Sequence, residues 1–287
     1  MAHSISLKDG HGFRPQKRLG QHFLIDRQII HKIIRSARFE ASDLVLEIGP
    51  GQGALTLPLA QSVGQVVAVE KDTYLAGLLK EKLSRTQLIN VTLINHDILK
   101  LDLNEIKPPS PVKIKVIGNL PYNISSPLLE KLIENRELVS RAVLMFQSEV
   151  AERLTASPGG KAYGAMTLLI QYHALPTPLL EVSRKSFYPI PKVDSMVVEL
   201  DFERPYPRHT IHVDSFKRVV KGAFAYRRKT ILNSLKRYGP FWNQDVILKA
   251  LKSCRIDPGN RAEVLGMEDY LCLADALALT TGPSNDK

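Results

Sequence analysis

The chain has 287 residues, 44% of them apolar, and a formal net charge of +10. That length exceeds a usual single domain and the apolar share suffices for a sizeable core, so two domains are expected. The two cysteines, Cys254 and Cys272, offer neither a disulfide framework nor metal-ligand spacing, so both are read as buried thiols of a reducing compartment, and no metal is expected. The N-terminus lacks an apolar signal-peptide core and no run approaches a membrane span, so a cytoplasmic protein without a membrane partner is expected.

In chain order, a basic cluster comes first: eight Lys/Arg between Lys8 and Arg38 against Asp9 and Asp26, with a helix predicted near Gln28 to Ala37. Leu44 to Ile48 reads as a strand running into Gly49-Pro50-Gly51-Gln52-Gly53 and then a helix near Ala54 to Ser62. Glycines spaced two apart let a ligand approach the backbone closely. The spacing departs from the dinucleotide fingerprint, since no glycine stands three residues after Gly51, and it suits a nucleoside with a short amino-acid tail rather than a pyrophosphate. Gln65 to Val69 is a second strand, ending at Glu70. That is roughly the 20-residue distance at which a carboxylate can accept the ribose hydroxyls of a nucleoside. Asp72 is read as the cap of a helix from Tyr74 to Leu83. Val91 to His96 leads to Asp97, where a carboxylate can accept from an adenine amino group.

The apolar run Ile114 to Ile117 leads to Gly118-Asn119-Leu120-Pro121-Tyr122-Asn123. Asn119 supplies an amide carbonyl, Pro121 fixes a turn that can aim the Leu120 and Pro121 carbonyls outward, and Tyr122 can lie against a planar base. A heterocycle with an exocyclic amino group satisfies all three. Gly49, Glu70, Asp97 and Asn119 therefore stand at the ends of four successive predicted strands, and in an open parallel sheet those ends line one ligand crevice.

A helix near Pro127 to Glu134 and strands at Ala142 to Phe146 and Met196 to Leu200 continue the alternation. After the proline-containing stretch 203–208 only helical periodicity remains, over Val213 to Ala225, Lys229 to Arg237, Asp245 to Leu251 and Tyr270 to Leu279. The expected domains are 1–204 and 205–287. Arg204 to Arg261 holds 14 Lys/Arg against three Asp/Glu, a net of +11 that exceeds the whole chain's +10. With Phe224, Tyr226, Tyr238, Phe241 and Trp242 interleaved, this segment reads as a phosphate-tracking surface for nucleic acid.

Several segments together carry a family resemblance over nearly the whole chain. They are 18–24 (RLGQHFL), 47–51 (EIGPG), 118–125 (GNLPYNIS), 161–164 (KAYG), 187–195 (FYPIPKVDS), Ala223-Phe224 and Arg227-Arg228-Lys229-Thr230. The sequence resembles the KsgA (RsmA) family of small-subunit ribosomal RNA adenine N6,N6-dimethyltransferases. The resemblance implies an α/β fold: a Rossmann-like class I S-adenosylmethionine-dependent methyltransferase sheet of seven strands, one antiparallel, with a small all-helical C-terminal domain. It implies S-adenosyl-L-methionine as cofactor, held by His22, Leu24, Gly49, Gly51, Glu70, Asp97 and Asn119. His22 departs from the family, in which Asn is common at this position. The implied partner is the small ribosomal subunit with its 16S rRNA, and a monomer is expected. Asn119 and the Leu120 and Pro121 carbonyls would hold the adenine N6 amino group, while Tyr122 and Phe187 sandwich the flipped base. Arg227, Arg228 and Lys229 would touch RNA phosphates, although three adjacent helical positions cannot all face one way. Glu47, beneath the glycine loop, can serve the methionine moiety through water. The alternatives left open are an Erm-like methyltransferase of large-subunit RNA and a ribosome-assembly binding protein with dispensable catalysis.

Overall fold

The computed structural model describes residues 20–106 and 112–279. The motif residues Arg18 and Leu19 and the cations preceding them lie outside the described residues, as does the side chain of Tyr122. Two compact units result. One takes the chain up to Ala151 together with Leu175–Glu203, and the other takes Glu152–Ala174 together with the chain from Arg204 onward. The change of unit at residue 204 coincides with the proline-containing stretch. Residues 152–174, which the sequence reading left with the sheet, cluster with the C-terminal helices.

The first unit is built on seven strands: β2 (Leu44–Ile48), β3 (Gln65–Glu70), β4 (Val91–Asn95), β5 (Ile114–Asn119), β6 (Val139–Gln147), β7 (Leu175–Val182) and β9 (Ser195–Asp201). Their order is β4-β3-β2-β5-β6-β9-β7, with β9 antiparallel to both neighbours and the other pairs parallel. A parallel sheet is covered on both faces, which explains why β2 reads as an unbroken apolar run around Glu47. Val45, Leu46 and Ile48 are at most 2% exposed, each burial contributing about 1.5–3 kcal/mol. Chain order runs outward from β2 through β3 to β4 and then returns to β5 on the opposite side of β2. The resulting switch point opens a crevice at the C-terminal ends of β2 and β5.

Helix α1 (Arg27–Ala37) begins at Asp26, whose carboxylate accepts from the Gln28 and Ile29 N–H groups at 2.9 and 3.2 Å, and it buries Ile30, Ile33 and Ala37. Helix α2 (Thr56–Ala60) is shorter than the 54–62 span its apolar pattern suggests, with Ala54 and Leu55 still in the turn that contains Gly53 at φ +82°. Helices α3 (Thr73–Ser84) and α4 (Ser125–Glu134) follow β3 and β5. Asp72 caps α3 as expected, accepting from the Tyr74 and Leu75 N–H groups.

Five elements escaped the sequence reading. Strand β7 carries Pro176 and Pro178, which suit it only to an edge, and it pairs with β9 alone. A two-stranded antiparallel sheet joins β1 (Phe23–Leu24) to β8 (Phe187–Tyr188), pairing Phe23 with Tyr188 and Leu24 with Phe187. Helices α5 (Ser148–Thr155) and α6 (Ala165–His173) complete the list.

The second unit packs α6 with α7 (Val213–Phe224), α8 (Ile231–Tyr238), α9 (Gln244–Ser253) and α10 (Met267–Ala278). Phe216, Val219, Leu235, Ile247, Leu251, Tyr270 and Leu271 form its buried interior. Trp242, expected on the nucleic-acid face, is only 6% exposed, and Phe224 stacks on Tyr270 at 6.0 Å; both belong to the packing. Tyr226 and Phe241 remain exposed. The expectation of two free thiols is corrected: Cys254 and Cys272 form a disulfide, their Cα atoms 5.8 Å apart. Packing of α9 on α10 brings them within bridging distance, which their separation in sequence does not reveal.

Candidate active site

The crevice at the β2/β5 switch point holds a cavity of about 420 Å³, within the usual range for small-ligand sites. Of the residues expected to bind cofactor or substrate, His22, Leu24, Gly49, Gly51, Asn119, Leu120 and Pro121 line it. Glu70 joins its edge through a hydrogen bond to Gly51, and Asp97 stands beyond the end of the neighbouring strand β4. Phe187 does not line it, and the three C-terminal cations belong to the other unit.

Gly49 and Gly51 adopt φ of +67° and +55°, values that side-chain-bearing residues rarely tolerate. A methyl group on Gly51 would also stand 3.2 Å from the Phe23 ring. The loop is therefore a bare-backbone cradle roofed by β1. Glu70 braces it from below, with one carboxylate oxygen accepting from Gly51 N–H at 3.0 Å and the other from Asp72 N–H at 2.8 Å. Burial raises the Glu70 pKa, and those same N–H groups oppose the shift.

Asp97 has a different environment. Its Oδ2 pairs with the Lys71 ammonium at 2.8 Å and its Oδ1 accepts from Leu99 N–H at 3.0 Å. Burial acts to raise its pKa, but the Lys71 ammonium, the Leu99 N–H and the Lys100 charge outweigh burial and hold it below the ordinary carboxylate range. The Lys71 pairing escaped the sequence reading, because it depends on the parallel register that sets Glu70 beside Asn95.

Glu47 is 1% exposed, lines the cavity, and its Oε2 makes no hydrogen bond among the described residues. Burial, reinforced by the neighbouring Glu70 charge and opposed by Thr56, pushes its pKa up to about 7. A buried carboxylate oxygen without a partner beside a glycine cradle is suited to a cationic ligand group such as an amino-acid ammonium.

At the end of β5, the Asn119 side-chain N–H donates to the His22 carbonyl at 2.9 Å, which leaves the amide oxygen as the group it presents. The Pro121 carbonyl accepts from Ile124 N–H at 3.1 Å and closes a turn. It is thus committed internally, and the Leu120 carbonyl is the backbone acceptor without an internal bond among the described residues. The His22 ring Nδ1 lies 2.7 Å from the Pro189 carbonyl, so that ring donates to it. His22 thereby ties the Asn119 turn to the segment that follows β8, a link between three distant stretches that no local pattern announces.

Phe187, expected to face a flipped base, is 1% exposed and packs with Leu24, Val182 and Val197. Strand alternation turns the next residue the other way: Tyr188 is 50% exposed, with Phe23 opposite it across the ladder. In the helical unit, Arg227 bonds the Lys161 carbonyl and lies 3.9 Å from Glu263, whereas Arg228 and Lys229 are exposed and make no ion pair among the described residues. Among the described residues there is no cluster suited to a metal ion, and no helix is long and apolar enough to cross a membrane.

Comparisons with known proteins agree on one family. The model of the ribosomal RNA adenine dimethylase family matches residues 12–279. A ribosomal RNA small subunit methyltransferase A of Desulforapulum autotrophicum is 47% identical over 91% of this chain and 92% of its own length. That of Geobacter sulfurreducens is 44% identical over 95% and 99%. Among solved structures, a dimethyladenosine transferase from Plasmodium falciparum has a TM-score of 0.73 at 29% identity, covering 88% of this chain and 95% of that one. The 23S rRNA methyltransferase ErmE has a TM-score of 0.67 at 28% identity, covering 89% and 99%. A switch-point crevice with a glycine cradle, Asn119 on its wall with the side-chain N–H committed to His22, and a family match over nearly all of the described chain lead to one assignment: the chain belongs to the ribosomal RNA adenine dimethylase family.

Proposed function

We propose that this chain transfers methyl groups from S-adenosylmethionine to N6 of two adjacent adenosines in a hairpin loop near the 3′ end of 16S rRNA, giving N6,N6-dimethyladenosine, and acts in small-subunit biogenesis. The observation that carries this reading is the orientation of Asn119. Its N–H is committed to His22, so its oxygen, with the Leu120 carbonyl, forms an acceptor pair for an exocyclic amino group at the cavity wall. Two such acceptors draw the N6 hydrogens away from the ring, localise the nitrogen lone pair, and stabilise the positive charge that develops on nitrogen. No dedicated base is needed before transfer.

When bound, the cofactor supplies an activated methyl group, and the protein supplies position and electrostatics. The residues present fit it. Glu70 is placed for the ribose hydroxyls, Asp97 for the adenine amino group, the Gly49 and Gly51 backbone for close approach, and Glu47 for the ammonium end. His22 and Leu24 contribute the roof through their backbone. Tyr122 and Phe187 are assigned to the flipped base; Phe187 needs the segment after β8 to shift before its ring can stack. Arg228 and Lys229, with Arg227 as their brace, are assigned to RNA phosphates.

The likeness to ErmE favours one alternative, a large-subunit RNA target. Incubation with labelled S-adenosylmethionine and, separately, small subunits, naked 16S rRNA, large subunits and DNA separates the readings. Label recovered as N6,N6-dimethyladenosine in the small-subunit RNA is the expected result. Label confined to large subunits or DNA, or absent from all four, overturns the proposal.

A further inference from the structure

Helix α1 has a polar face that the cofactor site does not use. Its sequence RQIIHKIIRSA buries Ile30, Ile33 and Ala37 and exposes Arg27, His31, Lys32 and Arg35, with no acidic residue in the helix. None of Arg27, Lys32 and Arg35 makes an ion pair or side-chain hydrogen bond among the described residues. Like charges three or four residues apart on a helix, as Lys32 and Arg35 are, repel and lower its stability, and an external anion would relieve that. The position of the row supplies a direction. Arg27 and His31 line the mouth of the cavity, while Lys32 and Arg35 stand farther along the helix. Residues four apart on a helix rise about 6 Å, a step comparable to that between successive phosphates of a nucleic acid strand. The start of the helix is held in place, because Asp26 both caps it and accepts from the Ser186 hydroxyl at 3.3 Å, and Ile25 N–H donates to the Ser186 carbonyl at 2.9 Å.

We propose that the exposed face of α1, carrying Arg27, His31, Lys32 and Arg35, is a phosphate track that receives the RNA strand at the cavity mouth and leads it away along the helix. This rests on the reading of RNA as the substrate. An anionic membrane surface is the other anion of this form, but the apolar face such binding would insert is occupied by the core, where Ile30, Ile33 and Ala37 are at most 6% exposed.

The test uses the full chain with Lys32→Ala and Arg35→Ala combined, since neither residue lines the cavity, beside the charge-keeping pair Lys32→Arg and Arg35→Lys. Binding to small subunits and to naked 16S rRNA is measured across a salt series, and S-adenosylmethionine affinity by calorimetry. The alanine pair should weaken RNA binding and flatten the log-log salt dependence by roughly 1.4 to 1.8, at about 0.7 to 0.9 per lost phosphate contact. The charge-keeping pair should retain the slope, and cofactor affinity should be that of the unmodified chain in both. An unaltered slope in the alanine pair, an equal loss in both pairs, or binding of the unmodified chain to phosphatidylserine vesicles in preference to RNA overturns the proposal. Failure of the unmodified chain to bind any RNA refutes the substrate reading itself, which separates the two.

Discussion

The strand-end crevice and the basic segment of the helical unit are the two surfaces proposed for function, and they are constructed in opposite ways. In the crevice, nearly every polar group is held by another before any ligand arrives: Glu70 by two backbone N–H groups, Asp97 by Lys71, Asn119 by the His22 carbonyl. In the basic segment the charges are mostly exposed, and those that are tied down, such as Arg208 to Glu268 and Asp275 and Arg227 to the Lys161 carbonyl, are tied within their own unit. Chemistry that must localise a lone pair needs groups fixed to a fraction of an ångström. Attraction to phosphates tolerates mobile side chains and is read mainly as a salt dependence. Fixed groups should therefore fail singly and steeply on substitution, and mobile ones additively and gently.

The steepest failure is expected at Asn119. Asn119→Ala should lower kcat by about 10²–10³-fold, as loss of an oriented hydrogen-bonding group does, while RNA affinity stays near that of the parent. Substantial turnover would remove the crevice from the comparison, and parallel loss of RNA binding would indicate misfolding.

Glu47 sets the next effect, which appears in stability. Its folded pKa of about 7 exceeds the value of an unfolded chain, so the folded state binds the extra proton. Its contribution is fully present below the unfolded pKa and is lost as pH rises through about 7. Glu47→Gln should remove that dependence, becoming more stable than the parent above pH 7 by up to about 3 kcal/mol in the absence of cofactor. Urea titrations at pH 5 and pH 8 measure it, and equal differences at both would rule out the raised pKa. The same change should weaken cofactor binding if Glu47 meets an ammonium.

Glu70→Ala should cost roughly 1.5–3 kcal/mol of cofactor affinity per charge-assisted hydrogen bond lost, and it should also loosen the loop, because the Gly51 and Asp72 N–H groups lose their acceptor. Unchanged affinity by calorimetry in a folded variant would exclude the ribose assignment. The gentlest effects belong to the helical unit. Arg228→Ala with Lys229→Ala should flatten the salt slope of RNA binding by about 0.7 to 0.9 per contact without a change in melting temperature. Arg227→Ala should lower the melting temperature instead. A reversal of that pattern would assign Arg227 to the RNA and the other two to the fold.

The unpaired cations of α1 resemble the helical unit's surface in kind, although they begin at the crevice. The molecule thus places exposed, unpaired charge beside fixed polar groups within one unit.

The sequence alone determined the alternation of strands and helices, the glycine cradle, and the Glu70, Asp97 and Asn119 strand ends, because each depends on a local period or spacing that one stretch of chain expresses by itself. It also determined the excess of charge beyond residue 204. Tertiary structure decided everything that joins distant stretches. The β1/β8 ladder, the His22 bond to Pro189, the Lys71 pairing with Asp97 and the Cys254 bridge to Cys272 have partners set by packing, and no period runs between them. The Pro176 and Pro178 strand was hidden for the converse reason: two prolines argue against a strand until its place at the sheet edge removes the need for their missing donors. Exposure was decided there as well. Phe187 and Tyr188 are adjacent aromatics in the sequence, and only the pairing of β8 with β1 determines that the first is buried and the second half-open.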